Sequence, residues 1–289
     1  MSTKKFLENP IVTTHIAVFL FGFSGLFGKF FSFHPVYIVL GRTFFASVAL
    51  LIFIFFFRKT TIRPASLKDA FSFVLQGLLL AFHWVCFFYS IQISTVAIGL
   101  LTFSTFPFFV TFLEPLFLKE KLYLNDIIFA IFIVLGTFLI IPSFNFSNDL
   151  TRGGIVGIIA GFTFALLSIV NRKNAKKLNP FSIALHQNFF ATLFLLIPAL
   201  LINSPLPLYK DIPLLAVLGI FFTALAHSLF IKSLAGIKAQ TVSIITGLEP
   251  VWGILLAFLF FNEIPGFKII IGGIIIISTT LLAGMKNKL

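Results

Sequence analysis

The chain has 289 residues, of which 59% are hydrophobic and only 10% are charged. Soluble domains average about 45–50% apolar and about 25% charged residues, so this composition excludes a soluble enzyme, a secreted domain and a disordered chain. The formal net charge of +12 comes from short clusters of Lys and Arg between long apolar runs. The pattern therefore indicates a membrane protein and gives no sign of a nucleic-acid partner.

Apolar runs long enough to cross a bilayer occur ten times along the chain. Each run has about 20 residues, the length that a transmembrane helix needs. The predicted spans are residues 11–31, 35–57, 69–91, 94–118, 123–142, 153–171, 180–202, 212–232, 239–261 and 265–285. Continuous apolar runs favour helices, because the strands of a barrel alternate between lipid-facing and lumen-facing residues. The sequence thus predicts an all-α integral membrane protein with ten transmembrane helices and only short loops outside the membrane.

The distribution of basic residues predicts the orientation of these spans. With the N-terminus in the cytoplasm, 16 of the 21 Lys and Arg residues fall on the cytoplasmic side and 5 fall on or toward the outer side. The cytoplasmic set is Lys4, Lys5, Arg58, Lys59, Arg63, Lys68, Lys119, Lys121, Arg172, Lys173, Lys176, Lys177, Lys232, Lys238, Lys286 and Lys288. Cytoplasmic loops carry an excess of Lys and Arg. We therefore expect a multi-pass protein of a bacterial inner membrane with both termini in the cytoplasm.

The two halves of the chain align at an offset of 143 residues. Pro107 then matches Pro250 and Glu120 matches Glu263, with 13 residues from each proline to its glutamate. Each half has five spans, an odd number, so the second copy enters the membrane in the opposite orientation. In agreement, Glu120 lies between two lysines, whereas Glu263 has no basic neighbour. The two predicted inverted repeats are residues 1–147 and 148–289. Inverted repeats of this kind build transporters whose substrate site lies where the halves meet.

A motif in the ninth span resembles a known family. Leu248-Glu249-Pro250, followed by Glu263 and Gly272-Gly273, is similar to the ten-helix EamA-type members of the drug/metabolite transporter superfamily, and the resemblance covers nearly the whole chain. Weaker support comes from Pro35, Arg42, Gly22, Gly25 and Gly28. The resemblance implies a secondary transporter of a small metabolite, most often an amino acid, with a tendency toward export. Import of a nucleotide-like or other host metabolite is the alternative.

Ionisable side chains inside a span are candidates for function, because each costs about 2.5–3.5 kcal/mol on insertion scales. Glu249 lies about ten residues into the ninth span and Arg42 about seven residues into the second. Either the two form an ion pair between helices, or one or both face a cavity and meet charged groups of a substrate. The first repeat has Phe106 where the second has Glu249, so the glutamate is not duplicated.

Further polar residues fall in matching spans of the two halves. His83 and Trp84 are neighbours in the third span, and the offset of 143 residues places Trp84 on His227. Gln187 in the seventh span matches Arg42 at an offset of 145 residues. We expect Arg42 with His83 toward the outer side of a central cavity, and either Gln187 or His186 with His227 toward the inner side. The predicted substrate-binding residues are Arg42, His83, Trp84, Gln187, His227 and Glu249.

These residue types have both functional and structural interpretations. A histidine can carry a coupled proton, since its ordinary pKa lies near pH 6.5, or it can stay neutral and bind a backbone group. An aromatic ring such as that of Trp84 can stack on a cationic substrate or merely fill space. The 43 phenylalanines make an aromatic stripe uninformative by itself.

Motifs for other chemistry are absent from the sequence. It contains no GxxxxGK[ST] loop, HExxH or GxSxG motif, and Cys86 is its only cysteine, so we predict neither an enzyme nor a cofactor or metal site. A membrane enzyme acting on lipid would need clustered acids near one interface, and a channel would need a continuous polar lining. The expected partners are a small-molecule substrate and the lipid bilayer, with a proton as a candidate coupling ion and a monomer or weak dimer as the assembly.

Overall fold

The computed structural model describes residues 9–58, 64, 66–141 and 145–286. All regular secondary structure in this part of the chain is helical. Five residues of the predicted cytoplasmic set, Lys4, Lys5, Lys59, Arg63 and Lys288, lie outside the described residues.

The described chain forms thirteen α-helices, numbered here in chain order. The first half contains α1 (Pro10–Phe30), α2 (Pro35–Phe53), α3 (Leu67–Ile93), α4 (Val96–Phe103), α5 (Phe106–Leu118) and α6 (Leu124–Ile140). The second half contains α7 (Asp149–Ala175), α8 (Pro180–Leu201), α9 (Ile212–Gly219), α10 (Ala226–Gly236), α11 (Ala239–Thr246), α12 (Glu249–Phe261) and α13 (Phe267–Lys286). A π-helical turn, Ile54–Arg58, extends α2, and a second, Ile220–Leu225, joins α9 to α10. A short 3₁₀ turn, Tyr209–Asp211, precedes α9.

The prediction of an all-α membrane protein with ten membrane helices is confirmed. Eight helical segments of the described chain are long and apolar enough to cross a membrane. Two shorter apolar helices, Leu124–Ile140 and Phe267–Thr279, bring the total to ten. The eight long segments include the pairs α4–α5 and α11–α12 and the composite helix α9–α10, each of which acts as one span.

Polar caps and prolines explain where several helices begin. The Asn9, Asn148 and Asn179 side chains each accept a hydrogen bond from the backbone N–H two residues later. His34 does the same at the start of α2. Such caps satisfy N–H groups that have no partner inside the helix. Three of these helices then start with proline, whose missing N–H costs nothing at that position.

Two spans that the sequence predicts as continuous helices are broken in the middle. The fourth span divides into α4 and α5, and the ninth into α11 and α12. Pro107 and Pro250 each lie in the first turn after the break, where a proline cannot donate to the preceding turn. Lys119 and Asn262 then end α5 and α12 in the left-handed conformation, with φ of 57° and 52°. The backbone therefore repeats at the same offset as the sequence motif.

The two halves interlock rather than forming separate packed units. Every helix of the first half has its most extensive packing partner in the second half. Helix α3 packs on α7 and, equivalently, α10 packs on α1, while α2 and α6 pack on their own counterparts α8 and α13. The packing of the two halves is therefore related by a pseudo-two-fold symmetry. Helices α1, α3, α7 and α10 meet at the central seam.

Glycines allow close helix contacts between the two halves. A methyl group added at Gly22 in α1 would lie 2.6 Å from the Trp252 Cβ in α12. One added at Gly136 in α6 would lie 2.9 Å from the Gly272 carbonyl oxygen in α13. Since α1 is an unbroken helix through its glycines, these residues serve close packing.

Candidate functional site

A small cavity lies among buried residues at the central seam, and five of the six predicted substrate-binding residues line it. These are Arg42, His83, Trp84, His227 and Glu249, each 5% exposed or less. Ser24 and four phenylalanine rings complete the wall. The free volume is about 20 Å³, which accommodates about one water molecule. The cavity is thus polar on one part of its wall, aromatic on the rest, and too small here for a metabolite.

Arg42 projects from α2 and is held by both halves of the molecule. Its Nε donates to the Thr223 Oγ1 at 2.9 Å and its Nη2 donates to the Phe222 carbonyl oxygen at 3.4 Å. Its Cζ lies 3.8 Å from the centroid of the Trp84 ring, a cation–π contact. Its Nη1 is buried without a hydrogen-bond partner among the described residues. Arg42 therefore has a fixed position and an unused donor.

The anchor for Arg42 is the π-helical turn Ile220–Leu225 between α9 and α10. The Thr223 hydroxyl donates to the Leu218 carbonyl oxygen at 2.8 Å, which leaves its oxygen free to accept from Arg42. The Phe222 carbonyl oxygen is the second acceptor. Single π turns inside helices often occur at functional sites, because the longer hydrogen-bond step displaces backbone groups. Hydropathy and periodicity do not reveal such a turn.

Glu249 is the first residue of α12, directly after the break in the ninth span. At a helix N-terminus, aligned peptide dipoles stabilise a negative charge. The Glu249 side chain is 3% exposed and lines the cavity. Within the described part of the chain, no salt bridge joins it to Arg42. The Arg42 and Glu249 side chains therefore share one cavity without forming a direct ion pair, which differs from the ion-pair alternative.

His83 has a backbone partner as well as a place in the cavity wall. Its Nδ1 lies 2.9 Å from the Ala160 carbonyl oxygen, so Nδ1 carries the proton and donates, because a carbonyl oxygen only accepts. Its ring packs against Phe164 with centroids 4.7 Å apart. Arg42 contacts the neighbouring Trp84 ring. His83 thus joins α3 to α7 and presents its ring edge to the cavity.

Gln187 lies behind the cavity wall. Its Oε1 is 2.7 Å from the His227 Nε2, and its Nε2 contacts the Gln76 Oε1 at 3.1 Å and the Asn171 Oδ1. The His227 Nδ1 is buried without a hydrogen-bond partner in the described structure. Gln187 and His227 therefore do pair, but Gln187 orients the histidine and does not line the cavity itself.

Sequence reasoning missed part of the cavity wall. Ser24 lies between Gly22 and Gly25 in α1. Because glycines mark a face where helices pack closely, the Ser24 hydroxyl could have been predicted to face the cavity. The rings of Phe21, Phe87, Phe103 and Phe164 also line the cavity. No sequence signal separates these four from the other phenylalanines of the chain.

The arrangement of charges and rings suits a ligand that carries both charges. An arginine N–H group binds a carboxylate strongly, because a hydrogen bond between two ionised groups is about twice as strong as a neutral one. A carboxylate such as Glu249 binds an ammonium group, and the face of Trp84 attracts cations. In the described chain, no group of three His, Cys, Asp or Glu residues could hold a metal ion.

Several curated proteins are similar to this chain over most of its length. The S-adenosylmethionine uptake transporter of Rickettsia bellii is 27% identical over 255 residues, which is 88% of this chain and 85% of that protein. The protein of the same name from Rickettsia conorii is 26% identical and covers 88% and 84%. The pseudopaline exporter CntI of Pseudomonas aeruginosa is 24% identical and covers 74% and 75%. These relatives are all transporters of small metabolites, and their names give opposite directions of transport.

Comparisons of fold and family agree with these relatives. A solved crystal structure matches with a TM-score of 0.74 over 96% of both chains at 14% identity, which shows a shared fold. Residues 10–141 and residues 151–285 each match the EamA-like transporter family. The resemblance inferred from the Glu249-Pro250 motif is thereby confirmed, and the chain belongs to the EamA-like transporter family.

Proposed function

We propose that this protein is a secondary transporter that carries a small zwitterionic metabolite with an amino-acid group across a bacterial inner membrane by alternating access. The observation that carries the proposal is the shared cavity of Arg42 and Glu249, which are both buried and not paired with each other. Arg42 would bind the carboxylate of the substrate through its unused Nη1, and Glu249 would bind the ammonium group. Residues 1–147 and 148–289 would act as the two inverted repeats.

The aromatic part of the wall suggests which amino-acid metabolite to test first. S-adenosylmethionine, the substrate named for the Rickettsia relatives, combines an amino-acid group, a positively charged sulfonium and a nucleoside. The ring of Trp84 and the neighbouring phenylalanines would stabilise a sulfonium cation. His227, with its free Nδ1, would accept a hydrogen bond from the nucleoside or the amine. This substrate class includes both the amino-acid and the nucleotide-like alternatives.

The small volume of the cavity supports a carrier over a channel. A free volume of about 20 Å³ is far below the space of about 300 Å³ or more that ligand pockets offer. A metabolite would therefore enter only when the interlocked halves move relative to each other. Movement of inverted repeats around a central site is how such folds alternate access. The substrate would bias this equilibrium by binding one arrangement better than the other.

Direction and coupling are separate parts of the proposal. The family resemblance favours export of an amino-acid metabolite, whereas the relatives from Rickettsia are named for uptake. With both termini in the cytoplasm, as the basic loops suggest, either direction uses the same cavity. A proton is the candidate coupling ion, because His83, His227 and Glu249 face the cavity together with Arg42.

Counterflow in proteoliposomes tests the proposal. Vesicles loaded with unlabelled S-adenosylmethionine or with individual amino acids should accumulate the matching labelled compound, with saturable rates. Arg42→Gln should lose this accumulation, and Arg152→Gln, which removes an exposed cation paired with Asp149, should retain it. An imposed pH gradient that drives accumulation would show proton coupling and its direction.

Three outcomes would overturn the proposed function. Flux that does not saturate and lacks counterflow would indicate a channel. A chemical change of the substrate in detergent, without vesicles, would indicate an enzyme. Equal counterflow of compounds that lack a carboxylate would remove the role of Arg42 in substrate recognition.

A further inference from the structure

A second cluster of charges lies outside the cavity, where α5, α7 and α11 end or begin. The Arg172 Nε lies 3.0 Å from the Glu114 Oε1, and the Arg172 Nη2 lies 3.3 Å from the Glu120 Oε1. The Lys238 Nζ lies 3.3 Å from the Glu120 Oε2. We call these four residues, Glu114, Glu120, Arg172 and Lys238, the basic-end cluster. The cluster joins α5 of the first half to two helices of the second half.

Glu114 is the most deeply buried member of this cluster, and both oxygens of its carboxylate have hydrogen-bond partners. The Glu114 side chain is 3% exposed, and its two carboxylate oxygens accept the backbone N–H groups of Ala239 and Gln240, both at 2.9 Å. Those N–H groups belong to the first turn of α11, where the helix dipole favours a negative charge. A buried ion pair is stable only when such extra hydrogen bonds satisfy it. Glu114 of α5 therefore binds both the start of α11 and the Arg172 side chain of α7.

The opposite end of the bundle has a reduced copy of the same arrangement. At the offset of 143 residues, Arg172 matches Lys29 and Ile237 matches Ser94. Arg172 donates to the Ile237 carbonyl oxygen, and Lys29 donates to the Ser94 carbonyl oxygen at 2.7 Å. In each repeat, a basic side chain near the end of the first helix thus donates to a backbone carbonyl oxygen just before the broken span. The two carbonyl groups occupy matching positions of the repeat.

Of the two glutamates in the basic-end cluster, only one has a counterpart at the opposite end. Glu120 matches Glu263, and Lys29 is close enough to Glu263 for an electrostatic attraction. In the described structure the Glu263 Oε1 is buried without a hydrogen-bond partner. Glu114 matches Ala257, so the buried carboxylate has no counterpart. We call Lys29, Ser94 and Glu263 the far-end cluster.

We propose that these two clusters are the gates of the transporter, one on each side of the cavity, and that the basic-end cluster is the stronger. This inference rests on the proposed function, since it assigns the parts that must separate during alternating access. Opening one side requires α5, α7 and α11 to part, which breaks the ion pairs of Arg172 and Glu120. Opening the other side breaks the Lys29 contacts, which include no salt bridge in the described part of the chain. The basic end should therefore stay closed more of the time, and the positive-inside pattern assigns it to the cytoplasm.

The two glutamates matched by the repeat allow a sharply controlled test. Glu120→Gln removes one charge at the basic end and leaves the Glu114–Arg172 pair in place. Glu263→Gln makes the same change at the far end. Glu120→Gln should shift the population of the open state by about 1.4- to fivefold, which corresponds to about 0.2–1 kcal/mol for an exposed ion pair. Glu263→Gln should shift it by a smaller factor.

The readout is the accessibility of the cavity from each side, which needs no substrate. Ser24→Cys in a Cys86→Ser background places one thiol in the cavity wall, and a membrane-impermeant maleimide is added to right-side-out or inside-out vesicles. Glu120→Gln should raise the labelling rate from the cytoplasmic side about 1.4- to fivefold, and Glu263→Gln should raise it from the other side by a smaller factor. Arg152→Gln should change neither rate.

Two results would overturn the gate assignment: both glutamine variants shifting labelling toward the same side, or both leaving it unchanged. Lys238→Met serves as a second variant at the basic end, because this side chain is 47% exposed and its loss should not prevent folding. It should shift labelling in the same direction as Glu120→Gln. Failure of all amino-acid metabolites in counterflow would refute the proposed function and would leave the labelling result unaffected.

Discussion

The two halves of this protein share a backbone and differ in chemistry. Both contain a span broken at the same position and a left-handed residue that ends the second segment, Lys119 in one half and Asn262 in the other. At the break, however, the first half has Phe106 and the second has Glu249. Conversely, the guanidinium in the cavity comes from the first half, at Arg42.

This difference shows how two related halves can form an asymmetric site. The shared features depend on proline and on close packing, which either copy needs in order to fold. Glu249 lines the cavity and Phe106 does not, so only the second copy of the break contributes to the site. With one cation and one anion from opposite halves, a zwitterionic substrate could contact both halves simultaneously.

The largest effect should come from removing the charge that only the second half has. Glu249→Gln should reduce the transport efficiency by about 10- to 100-fold, the factor that corresponds to losing a hydrogen bond between charged groups. Glu263→Gln changes the same side chain outside the cavity and should cost much less. Counterflow rates in proteoliposomes measure both. Equal rates for the two variants and the original protein would remove Glu249 from the transport mechanism.

A smaller effect should follow from disturbing the seam that both halves build. Gly22→Ala would force a methyl group against the Trp252 Cβ, 2.6 Å away, and overpacking of this kind costs about 1–3 kcal/mol. Gly266→Ala is the matched control, because no atom lies within 4 Å of the added carbon. Thermal unfolding in detergent should show a lower Tm for the Gly22 variant alone. An unchanged Tm would mean that α1 and α12 can separate without cost.

The smallest effect should come from changing the residue that caps the N-terminus of α2, His34, to the type that caps the equivalent helix α8, Asn179. The His34 Nδ1 accepts from the Val36 N–H at 3.2 Å, and the Asn179 Oδ1 accepts from the Phe181 N–H at 2.9 Å. Burial lowers the pKa of His34 below its ordinary value of 6.5. The neutral cap therefore stabilises the fold above about pH 6.5, and this contribution is lost as the pH falls through the lowered pKa.

His34→Asn copies the non-titrating cap of α8 into the first half. The Tm of this variant should depend less on pH than the Tm of the original protein in the acidic range, with little difference at neutral pH. Identical pH profiles would show that the His34 cap contributes nothing measurable to stability.

Much of the fold follows from the sequence, because lipid imposes simple rules. Length and hydropathy alone predict the ten spans, and the repeated Pro107 and Pro250 predict the internal duplication. The candidate site was predicted less completely. Arg42 and Glu249 were identified by their charge inside apolar spans. Glu114 also lies inside an apolar span but is missing from the predicted site, and only the folded structure shows that it pairs with Arg172.

The sequence by itself determined the class of this protein: an all-helical membrane protein with two related halves and a few charged residues at membrane depth, because composition and spacing are properties of the chain alone. Only the tertiary structure decided that Arg42 and Glu249 share a cavity without pairing, that a π-helical turn anchors Arg42, and that Arg172 bridges two glutamates. The physical reason is that these contacts join helices far apart in sequence. Their geometry depends on how closely the helices pack, which no single segment encodes.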